Sequence, residues 1–245
     1  MVVIELKNVS KKFRLYHEKT RSLKERILGR SKNVYEELWA LKDVNLIIKK
    51  GETAGIIGVN GSGKSTLLKL IAKILYPTTG EIITSGKIAT LIELGAGFHP
   101  DLTGKENVYL NGAILRMTRK EIDEKFNDIV KFAELEKFID IPLRNYSSGM
   151  KMRLGFSIAV HVNPDILLID EVLAVGDVAF KQKCYEKIRY FQRKQKTILY
   201  VSHNLESVKN ICNWTIWLDK GKIIKKGKPD RVIDVYLSSL KNKVS

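Results

Sequence analysis

Residues 58–66 read Gly-Val-Asn-Gly-Ser-Gly-Lys-Ser-Thr, three glycines ahead of a lysine and two hydroxyl side chains. Few short stretches constrain a fold as tightly, because this one works only where a strand stops and a helix starts. Both neighbours are present. Residues 53–57 (Thr-Ala-Gly-Ile-Ile) are an apolar run short enough for a buried strand, and residues 67–72 (Leu-Leu-Lys-Leu-Ile-Ala) carry apolar side chains at helical spacing. In that setting the backbone N–H groups around Gly58, Asn60, Gly61, Ser62 and Gly63, with the helix start, face an anion. Lys64 adds a point charge, and of the hydroxyls Ser65 and Thr66, Ser65 is placed to reach Mg2+. A plain glycine-rich turn is the alternative, and the flanking segments argue against it.

The 245 residues suffice for one large domain or two small ones, and 44% hydrophobic with 29% charged residues is an ordinary globular balance. No apolar run approaches the ~18 residues that span a membrane. The opening Met-Val-Val-Ile-Glu-Leu-Lys lacks the apolar segment of a secretory signal. Cys184 and Cys212 have neither metal nor framework spacing, so both are expected to be reduced and structural, which fits a cytosolic chain. The unusual bulk property is a net charge of +16. Nucleic acid, an anionic membrane face, a nucleotide or a merely basic solvated surface would each account for it. The basic residues are spread along the chain, densest over 11–32, so charge alone does not choose among these.

A strand is expected over 2–6, then a polar segment over 14–37 in which Leu23, Arg26, Ile27 and Leu28 have helix-like spacing before Gly29. Strands over 38–41 and 44–48 lead to a turn at Lys50-Gly51 and into the glycine loop. Pro77 and Gly80 mark turns before short strands at 81–83 and 88–92. From 103 to about 137 the pattern is helical, with a capping box at Thr118 and Glu121 opening a helix through Ala133. Helices are also expected over 148–160, 180–193 and, amphipathic, 229–240. Strands are expected over 166–169, 197–201 and 215–218. There is no internal repeat and no low-complexity linker.

Three further clusters carry chemistry. The run Ile-Leu-Leu-Ile over 166–169 ends in Asp170 and Glu171. A buried strand that leaves an Asp at its C-terminal edge puts the carboxylate beside the phosphate loop, where it holds Mg2+ through water. Glu171 then reaches the water that attacks the γ-phosphate. His203 closes another apolar strand at the same sheet edge, which favours a γ-phosphate contact. Ser147 and Ser148 are N-cap residues of the helix leading to the acidic strand, and with Gly149 they form a helix start able to bind an anion.

With these motifs in order, the chain resembles the nucleotide-binding subunits of ATP-binding cassette (ABC) transporters from residue 2 to about 240. The resemblance implies an α/β fold: a P-loop NTPase core of ABC type with an antiparallel β subdomain and a helical subdomain. It implies one ABC ATPase domain over 1–245, with an N-terminal insert at about 14–37 and the helical subdomain at about 100–160. By that resemblance Lys64, Ser65, Asp170, Glu171 and His203 form one half-site. Ser147, Ser148 and Gly149 serve the ATP bound to the other copy of a head-to-tail dimer. Residues 174–177, ending in Asp177, match the D-loop, and Phe13 falls where the family stacks an aromatic on adenine, with Tyr16 and Tyr35 as weaker candidates. The implied cofactors are ATP and Mg2+.

The chain departs from the family pattern at three places. The signature is Tyr-Ser-Ser-Gly-Met rather than Leu-Ser-Gly-Gly-Gln, Glu93 stands where the Q-loop glutamine is expected, and the insert is additional. Glu93 can still ligate Mg2+ or order water, but when ionised it donates no hydrogen bond. Together with Arg153-Leu154 and the stretches 94–100 and 171–177, the departures are similar to the ATPase subunits that export lipid-linked O-antigen, capsule or teichoic acid chains. In that group the insert carries a short helix near the cytoplasmic channel mouth, and residues 16–28 are expected to form it here; a solvated excursion is the alternative. The carbohydrate-binding domain that some members append is not expected within these 245 residues. The implied partners are a second copy, joined by ATP, a separate transmembrane permease, and the lipid-linked polysaccharide. The implied location is cytoplasmic, peripheral on the inner face of the cell membrane. An ABC ATPase for a lipid or drug cargo is the alternative. A nucleic-acid-acting cassette is less expected, since neither a second cassette nor a long coiled coil is present.

Overall fold

The computed structural model describes residues 1–16, 35–92, 95, 97–170 and 177–241. The strand entering the glycine loop, β3 (Thr53–Ile57), is buried at every position. It lies between β7 (Thr197–Val201) and β8 (Trp214–Asp219), parallel to both. β6 (Ile166–Asp170) and β5 (Ile88–Thr90) extend the parallel set, and β9 (Lys222–Gly227) runs antiparallel to β8, giving the order β5-β6-β7-β3-β8-β9.

These central strands are apolar runs rather than alternating ones because both faces of the sheet are covered. Their side chains divide by parity. Ile57, Leu167, Ile169, Ile198 and Tyr200 join one core, with α4 (Ser148–His161) and α5 (Val178–Arg193) packed over it. Ala54, Ile56, Ile166, Leu168, Leu199 and Val201 join the other, beneath α1 (Lys64–Ile71) and a three-stranded antiparallel sheet. The architecture expected from the sequence is thus the one observed.

That antiparallel sheet has the order β2-β1-β4, from β1 (Val2–Tyr16), β2 (Tyr35–Lys49) and β4 (Thr79–Thr84). The opening strand is therefore much longer than the 2–6 expected, and the polar insert begins later. Cross-strand partners override the local polarity: Arg14 lies opposite Glu37, and its guanidinium sits 5.0 Å from the Tyr35 ring centre. β1 pairs β4 only as far as Ser10↔Thr79, whereas its pairing with β2 continues to Tyr16↔Tyr35. From Lys11 outward the hairpin is a two-stranded ribbon. Where it leaves the sheet, one step along β1 (Lys11 to Lys12) matches two along β2 (Leu41 to Trp39), so Ala40 is the extra residue of a bulge. The helix expected near 23–28 lies outside the described residues.

α2 (Gly104–Ile114) and α3 (Arg119–Ala133) complete the helical part with α4. The helical pattern expected from 103 to 137 is interrupted at Arg116, which takes a left-handed φ of 62°, and it ends at Glu134, φ 57°. Both helices open with reciprocal capping boxes, Thr103 with Glu106 and Thr118 with Glu121. Three elements were not expected, α6 (Leu205–Ile211), β9 and a short 3-10 turn at Leu143–Asn145; α7 (Pro229–Lys241) was. Cys184 and Cys212 are free and buried, and burial pushes both thiols up to about 12. Among the described residues no helix is long and apolar enough to cross a membrane.

Candidate functional site

The parallel register brings the sequence motifs to one edge. Val201 pairs with Asp170 on one side and with Ile56 on the other. The ends of β3, β6 and β7 are therefore level, and the glycine loop, Asp170 and His203 all leave the sheet at its C-terminal edge, where open α/β sheets bind ligands.

The loop is clamped from outside. Ser62 C=O accepts from Gly221 N–H at 3.0 Å, and Gly221 C=O in turn accepts from Lys42 N–H at 2.9 Å. At its far end Gly63 caps α1 with φ 107° and without a side-chain cap, which leaves the first-turn N–H groups for a ligand. A Cβ on Gly63 would stand 2.5 Å from the Ala40 carbonyl oxygen, so only glycine lets the bulge carbonyl of β2 seat against the loop. Lys64 is 6% exposed, and its ammonium donates to Gly58 C=O at 2.9 Å and Val59 C=O at 3.0 Å, which fixes its charge inside the loop. Ser62 Oγ is buried and makes no hydrogen bond among the described residues; it lies 2.7 Å from where a Cβ on Gly58 would stand.

A cleft of about 650 Å3 opens over this edge. Asn60, Gly61, Gly63, Lys64, Ser65 and Thr66 form its floor, with Asp170 beside them. The cation, the hydroxyl and the carboxylate suit a Mg2+-nucleotide by donor chemistry. Phe13 also lines the cleft, as do Leu38 and Trp39 of β2 and Met152 of α4, none of the latter three having been expected there. Neither Tyr35 nor Gly58 lines the cleft, and the Tyr16 side chain is outside the described residues.

His203 stands exposed just past β7 and does not line the cleft. Ser202 Oγ accepts from Asn204 N–H at 3.1 Å, and Asn204 caps α6 through Ser207 N–H, so the chain turns sharply at the histidine. Glu171 and Glu93 lie outside the described residues, as does the D-loop stretch up to Asp177.

Ser147 caps α4 by accepting from Met150 N–H at 3.2 Å, and Ser148 is exposed. The helix start is held from behind. Buried Tyr146 donates to Phe138 C=O at 2.7 Å, and its hydroxyl fits because Gly104 has no Cβ, which would lie 2.2 Å away. Burial, with Asp140 nearby, pushes the Tyr146 phenol up to about 12. None of Ser147, Ser148 and Gly149 lines this chain's own cleft, and a Cβ on Gly149 would meet nothing but Ser147 Oγ at 3.8 Å.

One turn further along α4, Arg153 binds Glu134 Oε2 at 2.8 Å and the Asp177 carboxylate, and its guanidinium lies 5.0 Å from the Phe180 ring centre. Asp177 also caps α5, accepting from Phe180 N–H at 2.8 Å. That backbone bond first, then Arg153, holds its carboxyl below the usual range. Glu134 is lowered chiefly by its hydrogen bond from Lys183. Asp177 therefore faces α4 in this structure rather than the cleft, and Arg153 joins the helix that begins at Ser147 to the helix that follows the acidic strand.

The model of the family described as ABC transporter matches residues 41–174, more than half of the chain. The chain belongs to the ABC transporter family. Within it, this is the ATP-binding component, an ATPase coupled to transport. The cassette is similar to the O-antigen export system ATP-binding protein RfbB of Klebsiella pneumoniae, 44% identical over 243 residues, covering 97% of this chain and 98% of that one. It is 42% identical over 235 residues to the teichoic acids export ATP-binding protein TagH of Listeria monocytogenes, covering 96% and 70%. Among solved structures it is similar to the dimeric post-hydrolysis state of the ATP-binding cassette MJ0796 bound to ADP and Pi. The TM-score there is 0.73 at 27% identity, covering 92% of this cassette and 98% of that chain.

Proposed function

We propose that this cassette hydrolyses ATP to power export of a lipid-linked polysaccharide, of O-antigen, capsule or teichoic acid type, through a separate transmembrane permease. It works from the cytoplasmic face of the membrane, which it reaches through that permease. The observation that carries the cargo is the 44% identity to an O-antigen export subunit over nearly the whole length of both chains. The observation that carries the chemistry is the convergence of Lys64, Ser65 and Asp170 on one cleft.

In this reading Gly58 to Thr66 hold the phosphates through backbone N–H groups and the Lys64 ammonium. Ser65 and Asp170, with Glu93, hold Mg2+, which neutralises phosphate charge when bound. Glu171 orients and deprotonates the attacking water, and His203 contacts the γ-phosphate. Ser147, Ser148, Gly149 and Asp177 act on the ATP of a second copy, and the openness of the α4 start supports this, since it leaves room for a facing loop. Two ATP molecules then join two copies head to tail.

The test combines nucleotide titration, sizing and transport. Lys64→Ala should weaken ATP binding by about tenfold or more. Glu171→Gln should bind ATP normally and accumulate as an ATP-held dimer with turnover nearly abolished; normal turnover would remove Glu171 from the mechanism. In cells, loss of surface polysaccharide in the Glu171→Gln strain is expected, and an unchanged cell surface would reject the cargo.

A further inference from the structure

Near its end β7 places Tyr200 level with Gly55 of β3 on one side and Ile169 of β6 on the other. The Tyr200 hydroxyl lies 3.0 Å from Ser207 Oγ, which is itself 3.2 Å from Ser202 Oγ. All three side chains are buried, and they flank the turn that carries His203. The direction of these bonds follows from one proton. Ser207 Oγ also lies 2.7 Å from Asn204 C=O, an acceptor with no proton to give, so Ser207 donates there. Its lone pairs then accept from Tyr200 and from Ser202. Ser202 Oγ in turn accepts from Asn204 N–H at 3.1 Å, and Ser207 N–H donates to Asn204 Oδ1 at 3.0 Å.

His203 is thereby bracketed. The side chain of the residue before it, and the N–H, C=O and side chain of the residue after it, all end on this network. The network is also tied to the strand that feeds the phosphate loop. Because Gly55 has no side chain, α6 lies directly on β3: a Cβ there would stand 2.8 Å from Val208 Cγ1 and 3.0 Å from Cys212 Sγ. The helix that holds Ser207 is thus seated on β3, while Tyr200 joins the same serine to β7.

Resting on the reading above that His203 contacts the γ-phosphate, we infer that Tyr200, Ser202 and Ser207 are positioning residues for His203. They hold its backbone in a fixed place relative to the phosphate loop, so the ring reaches the phosphate by turning about its own side-chain bonds. His203 is exposed and does not line the cleft, so any shift of its backbone changes that reach directly. Loss of Ser207 Oγ would leave two buried hydroxyl donors without their acceptor, and the turn would rearrange to satisfy them. Lys64, Ser65 and Asp170 take no part in the network, so nucleotide binding and turnover should separate.

The experiment measures ATP turnover and ATP affinity on the full chain, together with the His203 ring resonance, assigned with His203→Ala. In the unmodified chain the slowly hydrolysed analogue ATPγS, with Mg2+, should shift that resonance. Ser207→Ala should lower kcat about tenfold or more while ATP affinity stays within about twofold, and the shift with ATPγS should shrink. Tyr200→Phe removes one donor and leaves Ser207 its other bonds, so kcat should fall only about twofold to threefold at the same affinity. This milder variant decides the matter if Ser207→Ala does not fold. Unchanged kcat in either folded variant overturns the inference. So does ATP affinity lost in step with kcat, or a lowered kcat with the full His203 shift. If His203→Ala itself turns over ATP normally, it is the γ-phosphate reading of His203 that fails.

Discussion

Gly63 meets two demands at once: it turns the chain into α1 with a left-handed backbone, and it leaves room for the Ala40 carbonyl at a distance no Cβ tolerates. Gly61 shares the left-handed φ, 77°, but a Cβ there would meet nothing within 4 Å. Gly61→Ala should therefore cost about 1 kcal/mol of backbone strain, and Gly63→Ala distinctly more, with displacement of the ribbon root. Thermal unfolding of the two variants side by side checks this, and equal losses would contradict the packing argument. At this scale the loop was legible because one short window holds both its glycines and its lysine. Trp39 and Met152 were not, because nothing in their local sequence separates a cleft-lining side chain from one merely on a strand or helix. Arg153 was visible as a family mark only; its partners Glu134 and Asp177 lie about twenty residues away on either side, beyond any local pattern.

Helix starts in the α2–α3 region depend on carboxylates. Glu106 and Glu121 each close a capping box, and hydrogen bonds from the backbone of Thr103 and Thr118 hold both below their ordinary 4.5. Folded values below unfolded ones mean that this stabilisation is complete above pH 4.5 and is lost as the pH falls through the lower folded values. The melting midpoint should thus be level through neutral pH and decline on the acid side of 4.5. Thr118→Ala should lower it by about 2–4 °C at pH 7, and by less in acid, where the box is already broken. A constant difference across pH would show that Glu121 contributes nothing through this bond. The box at Thr118 was legible in the sequence because all its parts lie within four residues. β9 was not, since Lys222, Lys225 and Lys226 break the apolar alternation of a strand that is held by its pairing with β8. The helical pattern expected from 103 breaks at Arg116, just ahead of the helix start read at Thr118, and the break itself was not legible because a left-handed residue outside glycine carries no sequence mark.

For the whole molecule, the two ends of the chemistry do not meet in one chain. The phosphate loop opens into its own cleft, whereas Ser147, Ser148 and Gly149 lie on a different surface, stiffly backed by Tyr146 and tied to α5 by Arg153. Head-to-tail pairing predicts complementation. Lys64→Ala spoils a copy's loop, and Ser148→Arg spoils its signature. In a mixed pair both defects fall in one site and the other is intact, so an equal mixture should exceed the average of the two variants assayed separately. Activity equal to that average would place the signature on its own chain's ATP.

β9 ends the larger sheet, and among the described residues no strand pairs with its outer side. Such a margin invites backbone hydrogen bonding from any other extended chain. Here Lys222, Lys225 and Lys226 are exposed along the margin, so a second copy laid against it would set like charges side by side. Some of the +16 charge is thereby a guard against filament growth and aggregation, and it discourages two subunits from joining by this edge.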